Sequence, residues 1–201
     1  MTNMTKIRDE IQSAATEKPA RRALWAAYGA CGWAFLFAAL SFYWALGGMA
    51  GADTLSPAIA QLARERAPWM IALLWITGLL KAFGGFVALA LVQSWGRKVP
   101  RWLLLLLAWG AGTLLFLHGG LFFVVGALAM GGFIHVATPA VVLYWYTILW
   151  GPYWLLGGAL FLIAAWNYLV RAPRQRADLL FSALGVFGAL ALLVLSGGTI
   201  G

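Results

Sequence analysis

Lys81 is the residue whose type and position most need a reason. It sits midway along an apolar run, residues 69–93, with 12 residues on either side. That leaves about 18 Å of helix in each direction. A cation at such depth costs about 2.5–3.5 kcal/mol on insertion scales, and an ionisable group inside a membrane marks a functional site by default. Gly78, Gly85 and Ala88 lie at −3, +4 and +7 from it, so a neighbouring helix can approach that face closely. The acids are Asp9, Glu10, Glu17, Asp53, Glu65 and Asp178, all outside the apolar runs or at their ends. Lys81 therefore has no carboxylate at its own depth. It must stand as a neutral amine, bond a carbonyl or a hydroxyl such as Ser41, Tyr43 or Thr113, or meet an anionic or carbonyl-bearing ligand. The bland alternative is a lysine that snorkels along its own helix and has no function.

The other chemistry-bearing residues say less. His118 lies in the third apolar run and His135 in the connection after it. Two histidines can ligate a haem between helices or shuttle protons. These two are 17 residues apart with no helix-borne partner, and a hydrogen-bonded structural histidine explains each more simply. Cys31 is the single cysteine, so intrachain disulfides, CxxC redox pairs and thiolate cages are excluded. HExxH, GxSxG and Walker lysine motifs are absent, as are paired intramembrane carboxylates. No catalytic residue and no metal ligand set is expected.

The elements that position Lys81 follow from composition. Of the 201 residues, 63% are hydrophobic and 10% charged. Mean hydropathy is +0.86. Soluble domains run nearer half apolar and a quarter charged. There is too little polar surface to cover a globule in water, which excludes a soluble enzyme and a disordered chain. The +8 net charge does not indicate nucleic acid, because the cations sit between apolar runs and not along one solvated face. A membrane-crossing helix needs about 20 apolar residues. Residues 24–46, 69–93, 102–127 and 178–197 meet this, and lipid obliges each to be helical. Residues 133–170 are too many for one span, and Gly151-Pro152 predicts a break. Either two spans form there, or one (153–170) preceded by an apolar interfacial segment.

Charge selects the single span. Lys and Arg beside span ends favour the cytoplasm. With five spans and the N-terminus inside, Lys6, Arg8, Lys18, Arg21, Arg22, Arg97, Lys98, Arg101, Arg171, Arg174 and Arg176 all face the cytoplasm. Arg64 and Arg66 face out. A sixth span would send the Arg171–Arg176 cluster outside. The expected fold is an all-α integral membrane bundle of five transmembrane helices, N-terminus cytoplasmic and C-terminus outside. Residues 1–22 read as a polar, loosely ordered cytoplasmic tail and 23–201 as one transmembrane domain. The first apolar run exceeds a signal-peptide core of about 7–15 residues, so it reads as an uncleaved span. Ser56-Pro57 predicts the start of a short amphipathic helix over 57–66, ended by Pro68.

Glycine pairs recur at 47–48, 84–85, 119–120, 131–132, 157–158 and 197–198, consistent with close helix packing. Nine of the 18 Trp and Tyr residues cluster near the outer interface, Tyr43, Trp44, Trp69, Trp150 and Trp154 among them. Interfacial anchoring is the ordinary role of such rings; lining a ligand vestibule is the sharper one. Tyr43-Trp44-Ala45-Leu46-Gly47-Gly48 and Tyr153-Trp154-Leu155-Leu156-Gly157-Gly158 are alike, but their flanks are not, so no inverted repeat is inferred.

Three groups of residues together resemble a known family. They are Ser41-Phe42-Tyr43-Trp44-Ala45-Leu46-Gly47-Gly48 with Gly51 and Asp53-Thr54; Lys81, Gly84-Gly85, Ala88-Leu89-Ala90-Leu91-Val92, Trp95-Gly96-Arg97 and Pro100-Arg101; and Leu149-Trp150, Pro152-Tyr153-Trp154 and Ala164-Ala165-Trp166. Over about residues 24–170 the chain resembles small bacterial membrane proteins catalogued as domain of unknown function 3995. The resemblance implies a compact helical protein of the bacterial cytoplasmic membrane with no assigned activity. It implies that Lys81 belongs to the pattern, that position 118 is more often aromatic, that Gly151 stands where an acid is usual, and that the last span extends beyond the family core.

The expected function is non-enzymatic binding or transport assistance. An outer-leaflet cavity among the first four helices would have Lys81 at its floor and Tyr43, Trp44 and Asp53 near its mouth, with Ser41 and His118 as further candidate ligand-binding residues. The ligand would be a small anionic or carbonyl-bearing molecule or lipid, with no cofactor evident. The surrounding partner is the lipid bilayer, nucleic acid is excluded, and the glycine-rich faces permit a homo-oligomer. The rivals are a quinone- or haem-binding oxidoreductase component using Lys81 or His118, and a structural subunit of a larger complex.

Overall fold

A computed structural model describes the backbone of residues 2–171 and 175–195, and the side chains of residues 24–171 and 175–195. Arg174 and the Gly197-Gly198 pair, with the expected end of the last span, lie outside the described residues. All regular structure among the described residues is helical. Among the described residues, five helices are long and apolar enough to cross a membrane: Leu24–Ala45, Pro68–Ala90, Arg101–Met130, Ala140–Val170 and Arg176–Leu195. The chain is thus a multi-pass membrane protein, with the five spans expected.

Helix α1 spans Thr2–Ala45 and continues the first span back through the polar segment. The segment read as a polar tail is helical in its backbone. The segment is rich in Ala, Glu, Lys and Arg, which sit in helices at little cost. A turn at Ala52–Thr54 leads to α2, Pro57–Arg64. Ser56 caps it as expected, its side chain accepting from the Ile59 amide at 3.4 Å, with Pro57 in the first turn. The helix ends earlier than expected, where Arg66 turns left-handed at φ 51°. Helix α3 is Pro68–Ala90 and α4 is Arg101–Met130, joined by a short turn at Ser94–Lys98.

The largest departure from expectation is at 133–170. The chain does not break at Gly151-Pro152. Helix α5, Ala140–Trp145, passes through a single π turn, Tyr146–Trp150, into α6, Gly151–Val170. The span therefore starts at Ala140 and not at residue 153. A proline ring clashes with the carbonyl four residues earlier, here Ile148, and leaves it without a donor. A wide turn placed just before the proline accommodates both defects without ending the helix. At 31 residues this run is about 46 Å long. Helix α7 is Arg176–Leu195.

The helices pack in the order α3, α1, α6, α4, α7. Their ends define a basic end, with Arg97, Lys98, Arg101, Arg171 and Arg176, and an opposite end formed by residues 46–67 and 131–139. Small residues set the close approaches. On α4, Gly112, Gly119 and Gly126 recur at seven-residue intervals, the first two facing α6 and the third facing Thr147 of the π turn. Gly110 meets Gly185 where α7 joins. Of the paired glycines, Gly85, Gly119, Gly157 and Gly158 hold close helix contacts as expected, whereas Gly47 and Gly132 turn the chain at positive φ. The likeness of residues 43–48 and 153–158 is not a structural repeat, in keeping with their unlike flanks. The first segment leaves α1 through Gly47, at φ 103°, whereas the second lies wholly inside α6.

Two apolar clusters fill the interior. Near the basic end, Ala26, Val87, Leu91, Leu104 and Ala164 bring α1, α3, α4 and α6 together. Toward the opposite end the cluster is aromatic, with Trp33, Phe37, Trp44, Trp150 and Phe161.

Candidate functional site

The inward stripe of α3 runs Met70, Leu74, Gly78, Lys81, Gly85 and Ala88, at helical spacing, while Leu79, Leu80, Phe83 and Phe86 are exposed. Gly78 and Gly85 let α1 come close. The Phe42 ring lies over Gly78 and the Phe35 ring over Gly85, where an added Cβ would stand 2.5 Å and 2.8 Å from them. Between these two contacts Lys81 projects across the seam.

Its ammonium has two partners. Nζ donates to the Ser41 hydroxyl at 2.7 Å. It also sits over the Phe37 ring, 3.6 Å from the centroid. Ser41 is fully buried. Phe37 and Ser41 are one turn apart on α1 and so share a face. A hydrogen bond to a charged group contributes about 1.5–3 kcal/mol, and a desolvated cation–π contact about 2 kcal/mol. Together these equal or exceed the insertion cost of the lysine, so it is tolerated without a carboxylate. Its charge is not cancelled. Among the described residues the ion pairs are Arg64–Asp53 and Arg101–Asp178, both far from mid-span. An ammonium carries three donors, and hydroxyl and ring occupy two.

Phe37 is the residue that sequence reasoning missed. It carries no polar atom, and its spacing from Ser41 was the one available signal. It is also the hub of the aromatic cluster. The Trp33 and Tyr153 rings each lie 5.3 Å from it, and Trp150 and Trp154 pack beyond. Trp33 and Tyr153 are tied twice: Trp33 Nε1 donates to the Tyr153 carbonyl at 2.9 Å, and the Tyr153 hydroxyl donates to the Trp33 carbonyl at 3.3 Å.

The other candidates lie elsewhere. Trp44 Nε1 donates to the Ala50 carbonyl at 2.9 Å, and the Ala50 amide donates to the Tyr43 hydroxyl at 3.3 Å. Asp53 pairs with Arg64 at an exposed site. Arg66 donates to the Ala45 carbonyl at 3.1 Å, capping α1, and Trp150 Nε1 donates to the Thr54 hydroxyl at 3.1 Å. Tyr43 and Trp44 thus fasten the loop after α1 onto the bundle, and Asp53 ties that loop to α2. None of the three bonds Lys81. His118 is half-buried on α4, stacked on Trp154 at 4.2 Å and edge-on to Phe122 at 4.4 Å. His135 is exposed in the α4–α5 connection. No group of three or more His, Cys, Asp or Glu gathers among the described residues.

The contacts predict opposite effects from neighbouring substitutions. Ser41→Ala leaves a buried ammonium one acceptor short and is expected to cost about 1.5–3 kcal/mol. Lys81→Met removes the charge at nearly constant length and is expected to be neutral or stabilising. Lys81→Met should also cancel most of the Ser41→Ala penalty. Unfolding in mixed micelles, followed by tryptophan fluorescence, checks all three.

The family described as protein of unknown function (DUF3995) matches residues 34–161, and the chain belongs to it. The match takes in Lys81, Ser41 and Phe37 and ends before α7. No curated protein and no solved structure matches the chain.

Proposed function

We propose that this member of the DUF3995 family is a non-enzymatic binding or transport-accessory protein of the bacterial cytoplasmic membrane. Its ligand is a small anionic or carbonyl-bearing molecule or lipid, held against Lys81. The observation that carries the reading is the Lys81 ammonium itself, mid-span, with a hydroxyl and a ring face as its partners and no carboxylate. A ligand oxygen supplies what the bundle lacks: an acceptor for the remaining N–H and, if anionic, the missing counter-charge. The basic end faces the cytoplasm, as the positive-inside rule directs, which puts the Tyr43–Asp53 loop outside.

Native mass spectrometry in lipid nanodiscs tests this, with wild type beside Lys81→Met. A discrete added mass on wild type that disappears from the folded variant supports the reading. Identical bare spectra, with both proteins folded, overturn it in favour of a structural subunit.

A further inference from the structure

A cleft of about 360 Å³ opens at the basic end, where α3 and α6 finish, well away from Lys81. Its polar lining is Gln93, Ser94, Arg97, Tyr168 and Arg171. Both guanidinium groups are anchored by one nitrogen and offer the rest. Arg171 Nη1 donates to the Leu91 carbonyl at 3.1 Å, and Arg97 Nε donates to the Ser94 carbonyl at 3.4 Å. A guanidinium fixed in this way presents its remaining N–H groups as a fork that suits phosphate oxygens. Ser94 and Tyr168 add hydroxyls.

The local charge is unbalanced. Among residues with described side chains, this end carries Arg97, Lys98, Arg101, Arg171 and Arg176. The one carboxylate is Asp178, whose Oδ2 already accepts from Arg101 Nε and the Gln175 amide. The depth is that of a lipid headgroup. The cleft lies at the span ends, beside exposed Trp25, Tyr28 and Trp95, and Gln93 Nε2 donates to the Tyr28 hydroxyl at 2.9 Å.

We propose that this cleft binds a phosphate group of an anionic phospholipid headgroup between Arg97 and Arg171. The site is independent of the Lys81 reading. A juxtamembrane cation contributes about fivefold to binding an anionic lipid surface, so losing both should weaken it roughly thirtyfold.

The test reconstitutes the full chain with phosphatidylglycerol or phosphatidylcholine and measures lipid retained through detergent exchange. Wild type is expected to keep phosphatidylglycerol, and Arg97→Gln/Arg171→Gln to lose it roughly thirtyfold. Arg97→Gln alone, which preserves the Arg171–Leu91 contact, should lose about fivefold and carries the test if the double variant does not assemble. Arg64→Gln, at the opposite end, should change nothing. Equal retention of both lipids, or unchanged retention in the Arg97 variants, overturns the proposal. Inorganic phosphate is the third arm. If it binds wild type in the absence of anionic lipid and displaces phosphatidylglycerol, the occupant is free phosphate and the lipid assignment is overturned.

Discussion

Arg101→Met is expected to lower the unfolding free energy by about 3–5 kcal/mol, the range for breaking one partner out of a buried ion pair. The Asp178 side chain is 3% exposed and that of Arg101 27%. Arg101 Nε donates to Asp178 Oδ2 at 3.0 Å, while Nη2 donates to the Tyr168 and Leu169 carbonyls at 3.2 Å and 2.9 Å. One guanidinium thus joins α4, the last turn of α6 and the first turn of α7. It stands where helix dipoles favour a cation, at the end of α6, and Asp178 where they favour an anion, at the start of α7. Removing Arg101 strands a buried carboxylate and two terminal carbonyls together. Asp178→Asn should cost less, because its amide oxygen still accepts from the Gln175 amide. Arg101→Met/Asp178→Leu should regain much of the loss, since no buried charge remains. Reversible unfolding in mixed micelles, read by tryptophan fluorescence, gives all three values.

Gly119→Ala is expected to destabilise by about 1–3 kcal/mol or more, whereas Gly32→Ala should be neutral or stabilise by up to about 1 kcal/mol. A Cβ at Gly119 would stand 2.6 Å from the Leu155 amide nitrogen and 2.7 Å from the Gly151 carbonyl oxygen. These are backbone atoms of the facing helix and cannot swing aside, so α4 and α6 must separate. A Cβ at Gly32 meets nothing within 4 Å, and only the helix preference of alanine remains. The opposite signs separate seam packing from propensity. Gly119→Leu should prevent the bundle from assembling. Thermal unfolding of the three variants in one detergent measures the series.

What the sequence disclosed follows from the solvent. Lipid satisfies no backbone group, so the five spans had to appear as long apolar runs, and they did. Lys81 was conspicuous because a charge in such a run is costly, and Ser41 was within its reach as a named acceptor. The direction a ring faces was not legible. Trp44 and Trp69 both read as interfacial anchors, yet Trp44 is 9% exposed and Trp69 57%. Lipid and bundle interior are equally apolar, so composition alone does not separate inward from outward. Phe37 was hidden for the same reason. The Arg101–Asp178 pair was hidden by distance, its partners being 77 residues apart. At Pro152 the local rule was sound and its consequence was not, since a π turn absorbed the defect that predicts a break.

The most direct measurement of the central claim is an experimental density map of the protein in its native lipid, at a resolution that shows side chains around Lys81. Non-protein density is expected within hydrogen-bond distance of Nζ, beside the Ser41 hydroxyl and the Phe37 ring. A map in which Nζ meets Ser41, Phe37 and other protein atoms alone, with no further density beside it, would contradict the proposal.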